Sequence, residues 1–270
     1  MKTRRTAVAA SSAVLLFAAA EASARGAVPR IDARVTGAFQ MQARVTEAVN
    51  VRGEHRGQRL RRDWTITPGE CEGSVCARLL VRRQRSAGIQ EALTLKRTGV
   101  GAYAGSSTFY APLRCRGSTY KHGARVPYRI TLTIVGAEAV QAIMFARRIT
   151  ATYTNLRRID TTPCSLGPSH DAATYTGAAR SPLPAPPAVS FTAAVDEATA
   201  TATFTATPGV GGAPIVSRRW NFGDPASGAP DSSTEANPTH IFSAAGLYTV
   251  TLTVTDATGL TTTVTQQVQA

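Results

Sequence analysis

Gly167-Pro168-Ser169-His170-Asp171 sets a hydroxyl, an imidazole and a carboxylate in consecutive positions, the three side-chain types of a hydrolytic relay. A relay needs nucleophile, base and orienting acid within hydrogen-bond reach of one another, and sequence neighbours seldom achieve that. The serine also lacks a G-x-S-x-G elbow. Glu54-His55 and the pair Glu70/Glu72 are the remaining acid–base or metal candidates, yet the four histidines show no H-E-x-x-H spacing. These residues predict a polar loop after Cys164. His170, His55 and the nearby carboxylates are the positions that a hydrolase reading would need.

All four cysteines, Cys71, Cys76, Cys115 and Cys164, fall in the first two thirds of the chain. An even count in an exported protein implies disulfides, with three pairings open. We favour Cys71–Cys76, closing the turn ECEGSVC, and Cys115–Cys164 as a long-range staple. Zinc is the competing use of these thiols, but the spacing lacks a second close pair.

The elements that carry these residues fall into segments of opposite charge. Residues 25–180 hold 25 Lys and Arg against 10 Asp and Glu, whereas residues 181–270 hold 2 against 6. Arginine is densest in RGEHRGQRLRRDW and VRRQR, which contribute Arg56, Arg59, Arg61, Arg62, Arg82, Arg83 and Arg85, with Arg147-Arg148 and Arg157-Arg158 further on. Positive charge in this excess attracts carboxylates, sulfates and phosphates, so these arginines are the candidate contacts for an anionic polymer. Solvated strand faces are the alternative use of the same residues. No nucleic-acid-binding motif accompanies the charge.

Residues 1–24 read as an export signal: basic MKTRR, an apolar stretch, then the small-x-small site Ala22-Ser23-Ala24, leaving a mature chain from about Arg25. Arg4-Arg5 resembles a twin-arginine signal, but Thr6-Ala7-Val8 lacks the usual bulky apolar pair, which favours the general secretory route. No later stretch is long and apolar enough to span a bilayer. The expected location is secreted or cell-surface associated. SPLPAPPAV places four prolines at the point where the charge changes sign, so residues 181–188 are read as an extended linker between domains.

Both domains predict β-structure. In residues 25–180, RVTGAFQMQARVTEAV, RRDWTIT, SVCARLLVRR, IQEALTLKR, STFYAPLRC, VPYRITLTIVG and AVQAIMFARRITATYT are separated by Gly, Pro or charged turns. Tyr128, Ile130, Leu132 and Ile134 share one face, and a hairpin is expected at Gly136-Ala137-Glu138. The pattern predicts an antiparallel meander, closed as a barrel or folded as a sandwich. WTITPGECEGSVCARLLVRR, KRTGVGAYAG and the late cysteine resemble a β-rich domain of secreted bacterial proteins. That likeness implies export and supplies no catalytic residue.

From Val189 the period is strictly two. Tyr248, Val250, Leu252 and Val254 alternate with threonines; so do Ala202, Phe204 and Ala206; Val189, Phe191, Ala193 and Val195 form a third set. About seven short strands predict an immunoglobulin-like sandwich over residues 189–270. Val216, Trp220 and Phe222 are expected on its core face, before Gly223-Asp224-Pro225 ends the strand. The blocks RRWNFGDPASG, NPTHIF and AGLYTVTLTVTDATG resemble a polycystic kidney disease (PKD) domain. They carry its W-x-F-G-D block (Trp220, Phe222, Gly223, Asp224), its Pro-x-His-x-aromatic segment (Pro238, His240, Phe242) and its G-x-Y strand (Tyr248). The resemblance implies an extracellular spacer or interaction module without an active site. Pro225-Ala226-Ser227-Gly228 is an insertion, and Phe242 stands where Tyr is usual. Asp224, Asp231 and Asp256 have ligand types that suit calcium, but no ordered D-x-D-x-D ladder supports it; turn hydrogen bonding is the favoured reading and no cofactor is expected.

The expected function is non-catalytic binding or adhesion outside the cell, with the basic domain contacting anionic envelope or matrix polymers and the C-terminal domain acting as spacer or protein-interaction module. A small-ligand carrier with an apolar barrel lumen and a secreted hydrolase are the alternatives.

Overall fold

The computed structural model describes residues 30–270 apart from 87–88, 162–163, 165–166 and 211. The export signal and its cleavage site lie outside the described residues.

The basic domain is a closed barrel. Eight strands run up and down in chain order: β1 (Gly37–Val49), β2 (Arg59–Pro68), β3 (Arg78–Ser86), β4 (Ile89–Gly99), β5 (Ala102–Cys115), β6 (Ser118–Val140), β7 (Ile143–Asn155) and β8 (His170–Ala179). Each pairs antiparallel with the next, and β8 returns to β1 with Phe39 opposite Ala179 and Ala43 opposite Tyr175. Closure removes both sheet edges. Inward residues alternate with outward ones on every strand. Phe39, Met41, Trp64, Ile66, Leu79, Val81, Leu95, Tyr103, Ile130, Leu132, Ile134 and Ile149 are all buried and fill the interior. Each such side chain contributes ~1.5–3 kcal/mol by leaving water.

Two expectations about this domain are corrected. Gly136 does not turn a hairpin; β6 continues through it to Val140, with register shifts on both sides of Gly136, and the chain reverses at Gln141. His170 and Asp171 are not a free loop, because they open β8, a strand absent from the sequence reading.

The two ends of the barrel differ. One is closed by residues 31–35: Ala33 and Val35 are fully buried, and the Asp32 carboxylate accepts bonds from the Gly101 N–H (2.9 Å) and the Arg97 guanidinium (2.9 Å). Gly101 has φ +54°, and a Cβ there would stand 2.4 Å from the Ile31 carbonyl oxygen, so the plug needs glycine at that turn. The short hairpin bonded by Cys71–Cys76 lies at the same end. At the opposite end, Cys115 at the tip of the β5–β6 hairpin is bonded to Cys164 in the β7–β8 connection.

The C-terminal domain is a seven-stranded sandwich: β9 (Val189–Asp196), β10 (Thr201–Pro208), β11 (Ile215–Asn221), β12 (Ser232–Ser233), β13 (Thr239–Ile241), β14 (Leu247–Asp256) and β15 (Thr261–Gln269). One sheet has the order β9-β10-β13 and the other β12-β11-β14-β15. Phe191, Ala202, Phe204, Trp220, Phe222, Val250, Leu252 and Val254 interdigitate between them. Val216 departs from the expected core face and is 63% exposed, because a register shift between Ile215 and Ser217 turns Ile215 inward instead.

The intervening proline segment is fastened at several points. The Ser181 hydroxyl accepts from the Ala38 N–H (3.1 Å), its carbonyl accepts from Arg147 (2.8 Å), and Leu183 joins Ile143, Phe145 and Leu260 in a small apolar cluster between the domains. Gln141 bridges to Thr261 across the same junction.

Candidate functional site

The seven arginines singled out in the sequence divide by strand parity. Arg62, Arg83 and Arg85 point toward the barrel interior; Arg59, Arg61 and Arg82 are exposed on its outer wall, and Arg56 is exposed in the β1–β2 loop. The first three are therefore corrected as surface contacts. Arg83 is 4% exposed, ion-pairs with Glu91, and lies over the rings of Tyr128 (4.7 Å) and Tyr153 (5.1 Å). Burial alone would lower its pKa, but Glu91 and the surrounding tyrosines raise it. Arg85 stacks on Phe109 at 3.8 Å, and burial lowers its pKa. Burial likewise raises Tyr153, with Asp171 adding to the effect. This arginine–tyrosine layer, with the Arg158–Asp171 pair at 2.9 Å, occupies the end of the lumen opposite the N-terminal plug. An ion pair buried this deeply fixes geometry more than it adds stability.

The outer wall carries a different arrangement. Across β7, β8, β1 and β2, cross-strand pairing aligns successive rows: Arg148, Ala178, Gln40, Asp63; then Thr150, Thr176, Gln42, Arg61; then Thr152, Thr174, Arg44, Arg59. Arg82 lies beyond on β3, opposite Thr65. Arg44 directly faces Arg59, and like charges opposed across a sheet are unfavourable. Among the described residues no carboxylate lies within ion-pair distance of Arg44, Arg59, Arg61 or Arg82, although Asp63 shares their face. Such a surface holds unneutralised charge on a rigid scaffold. Arg148 belongs to the arginines noted in the sequence, but Arg44 and the glutamines do not stand out there, because only the β8–β1 closure brings their strands together. The outward parity of Arg44 on β1 was the available signal.

The relay candidates do not converge. His170 contacts Glu47 at 2.9 Å, Asp171 pairs with Arg158, and as consecutive strand residues the two project to opposite faces of β8. Glu54 is half-buried, and burial reinforced by Asp171 raises its carboxyl pKa; His55 beside it is exposed.

In the C-terminal domain a Ser–His–Asp set does meet, in an order unsuited to a relay. Both oxygens of the buried Asp224 carboxylate are engaged: Ser243 donates its hydroxyl (2.5 Å) and its N–H (2.7 Å), and His240 Nε2 lies 3.2 Å away. The serine thus bonds the acid and not the imidazole. His240 is clamped between Phe222, stacked at 4.3 Å, and Phe242, edge-on at 4.6 Å. Phe242 in turn stacks on Tyr248 at 4.1 Å, and the Tyr248 hydroxyl donates to the Ala244 carbonyl at 2.7 Å. Trp220 contacts Phe191 (5.1 Å) and Phe204 (5.4 Å) and donates its indole N–H to the Glu235 carbonyl. Gly223 has φ +70°, and a Cβ on it would meet the Thr249 carbonyl oxygen at 2.5 Å, so the W-x-F-G-D block requires glycine there. The family model described as "PKD domain" matches residues 184–270. Residues 184–270 are a PKD domain.

Over 45 residues the chain is 51% identical to Collagenase ColA of Bacillus cereus; the match covers 17% of this chain and 4% of the collagenase. Among solved structures, the PKD1 domain of Vibrio anguillarum Epp is 29% identical, covering 33% of this chain and 96% of its own (TM-score 0.29). The PKD1 domain of the Vibrio cholerae metalloprotease PrtV is 34% identical, covering 32% and 98% (TM-score 0.28). The three aspartates considered for calcium are spread over the PKD domain's turns. Asp231 accepts from the Asp224 N–H (2.6 Å), while Asp256 accepts from Thr258 (2.8 Å) and Leu260 (3.0 Å). Among the described residues no three His, Cys, Asp or Glu side chains gather at metal-ligand distances.

Proposed function

We propose that the protein is an extracellular, non-catalytic binding protein whose basic barrel engages anionic polymers of the cell envelope or matrix, with the PKD domain as a docked interaction module. The observation that carries this reading is the opposition of Arg44 and Arg59, with Arg61 two residues further along β2, on a rigid outer wall without paired carboxylates. Close like charges are stabilised when an anion lies across them. The PKD assignment and the collagenase match support an extracellular setting, and among the described residues no helix is long and apolar enough to cross a membrane. The carrier alternative needs an open apolar lumen, whereas Trp64, Tyr103, Leu95 and their neighbours occupy this interior. The hydrolase alternative loses support from the divergence of His170 and Asp171.

Chromatography of the full chain on immobilised dextran sulfate tests the reading. The wild type should be retained and elute at raised salt, and the triple variant R44Q/R59Q/R61Q should elute well before it. Equal elution of the two proteins would overturn the assignment of the outer wall.

A further inference from the structure

The arginine wall borders a groove of about 460 Å³ lined by residues of β6, β7, β8 and β1, with Val135 the contribution of β6, within the size range of a small-ligand site. Its shape follows from side-chain length. Thr150, Thr176 and Ala178 are short and form the floor; Gln40 and Gln42 rise on one side, Arg148 and Arg180 on the other side and end. Arg148 lies against Gly136, where a Cβ would come within 2.9 Å of its Nε, so the glycine that shifts the register of β6 also makes room for this wall. No carboxylate lines the groove, and among the described residues none pairs with Arg148 or Arg180.

Amides and hydroxyls set between guanidinium groups provide donors and acceptors for an alcohol-rich ring and charge for an acid attached to it. We propose that the groove is a subsite for an acidic polysaccharide, with one sugar on the threonine floor, its hydroxyls on Gln40 and Gln42, and its carboxylate or sulfate on Arg148 and Arg180. Gln42 lies directly opposite both Thr176 and Arg61, so the groove runs without a break into the arginine wall. Arg148 and Arg61 are separated by three strand spacings of ~4.8 Å and by two residues along the strand, ~16 Å in all. One extended chain therefore reaches both. This inference rests on the polyanion reading above and narrows it from any anion to a saccharide.

The test is calorimetric binding of the full chain to hexameric oligogalacturonate, with maltohexaose and polyphosphate as comparison probes. Oligogalacturonate should bind, maltohexaose should not, and polyphosphate should bind more weakly. Thr176→Tyr, an exposed strand position suited to an aromatic residue, should fill the floor and weaken oligogalacturonate binding at least tenfold while leaving polyphosphate binding unchanged; R148Q/R180Q should weaken oligogalacturonate binding to a similar extent. Unchanged circular dichroism melts for the variants would show that the fold is intact. If Thr176→Tyr leaves oligogalacturonate affinity intact while R44Q/R59Q/R61Q reduces it, the groove inference fails and the polyanion reading stands. If neither set of changes has an effect, both fail. Polyphosphate binding as tight as oligogalacturonate, and equally sensitive to Thr176→Tyr, would overturn the saccharide assignment.

Discussion

Gln141 and Thr261 bind each other twice: the Gln141 amide nitrogen donates to the Thr261 carbonyl at 2.7 Å, and the Thr261 N–H donates to the Gln141 amide oxygen at 3.0 Å. The first residue is the turn of the barrel's β6–β7 hairpin and the second opens β15 of the PKD domain. Beside them Gly259 faces Arg34 so closely that a Cβ would lie 2.7 Å from its guanidinium. The junction therefore orients the domains with polar and apolar contacts together. Leu260→Asp should place a charge against the apolar side chains of Ile143, Phe145 and Leu183 and release the docking. Small-angle scattering should show a larger maximum dimension for the variant. An unchanged profile would mean that the proline segment alone sets the geometry.

The PKD domain should weaken in acid. Burial alone would raise the Asp224 carboxyl, but the Ser243 hydroxyl and N–H, with His240, hold it below its ordinary value of 3.8. A carboxylate depressed by folding contributes stability above its unfolded pKa, and that contribution disappears as pH falls from there through the folded pKa. Urea midpoints for the PKD transition, followed by Trp220 fluorescence in a Trp64→Phe background, should fall below about pH 3.8. Asp224→Asn should be less stable at neutral pH and show a flatter acid limb. A limb as steep as the wild type's would assign the acid sensitivity elsewhere.

Trp220→Ala should cost ~3–5 kcal/mol, the range for truncating a large buried aromatic, since Trp220 is fully buried against Phe191 and Phe204. Differential scanning calorimetry should show the PKD transition shifted down. Retention on dextran sulfate should survive below that transition, because the arginine wall belongs to the barrel.

Much of this architecture is legible in period-two alternation. Tyr128 to Ile134 and Tyr248 to Val254 display it without interruption, and the W-x-F-G-D, P-x-H-x-F and G-x-Y blocks mark the sandwich. Two of the departures share a physical cause: a bulge shifts the phase of alternation without changing composition. Val216 reads as inward because the register shift after Ile215 leaves no trace in residue type. Gly136 reads as a turn from its composition but serves as an irregularity inside a long strand. β8 is silent in the sequence because Ala172, Ala173, Gly177 and Ala178 are too small to signal a strand, and their smallness is what admits Met41 beneath Gly177 and the groove above it. The arginines were visible as a set, but their division between lumen and wall depends on parity within β2 and β3.

The two disulfides should contribute unequally. Cys71–Cys76 closes a separation of 5 residues and Cys115–Cys164 one of 49. In the chain-entropy model these correspond to ~2 and ~4 kcal/mol. Paired serine variants, compared by guanidinium denaturation of the barrel, should preserve that order. A larger loss from the short hairpin would point to contacts of that hairpin in place of loop closure.

Glu91→Ala should be among the more damaging single changes in the barrel, at ~3–5 kcal/mol, because it leaves the Arg83 guanidinium buried without its counter-charge. The double variant Arg83→Met with Glu91→Leu should recover much of the loss. A double-mutant cycle in chemical denaturation measures the coupling; additive losses would show that the pair is independent.

Barrel closure also sets an order of events. β1 opens the domain but finds its last partner in β8, so Phe39 waits for Ala179. Until that strand arrives, β1 and β7 each present an open edge able to pair with another chain. The Cys115–Cys164 bond ties the segment just before β8 to a hairpin already formed, shortening the search of the final strand for its slot. Forming that bond would thus hasten the sealing of the barrel, and a reduced chain would keep its two open edges exposed for longer.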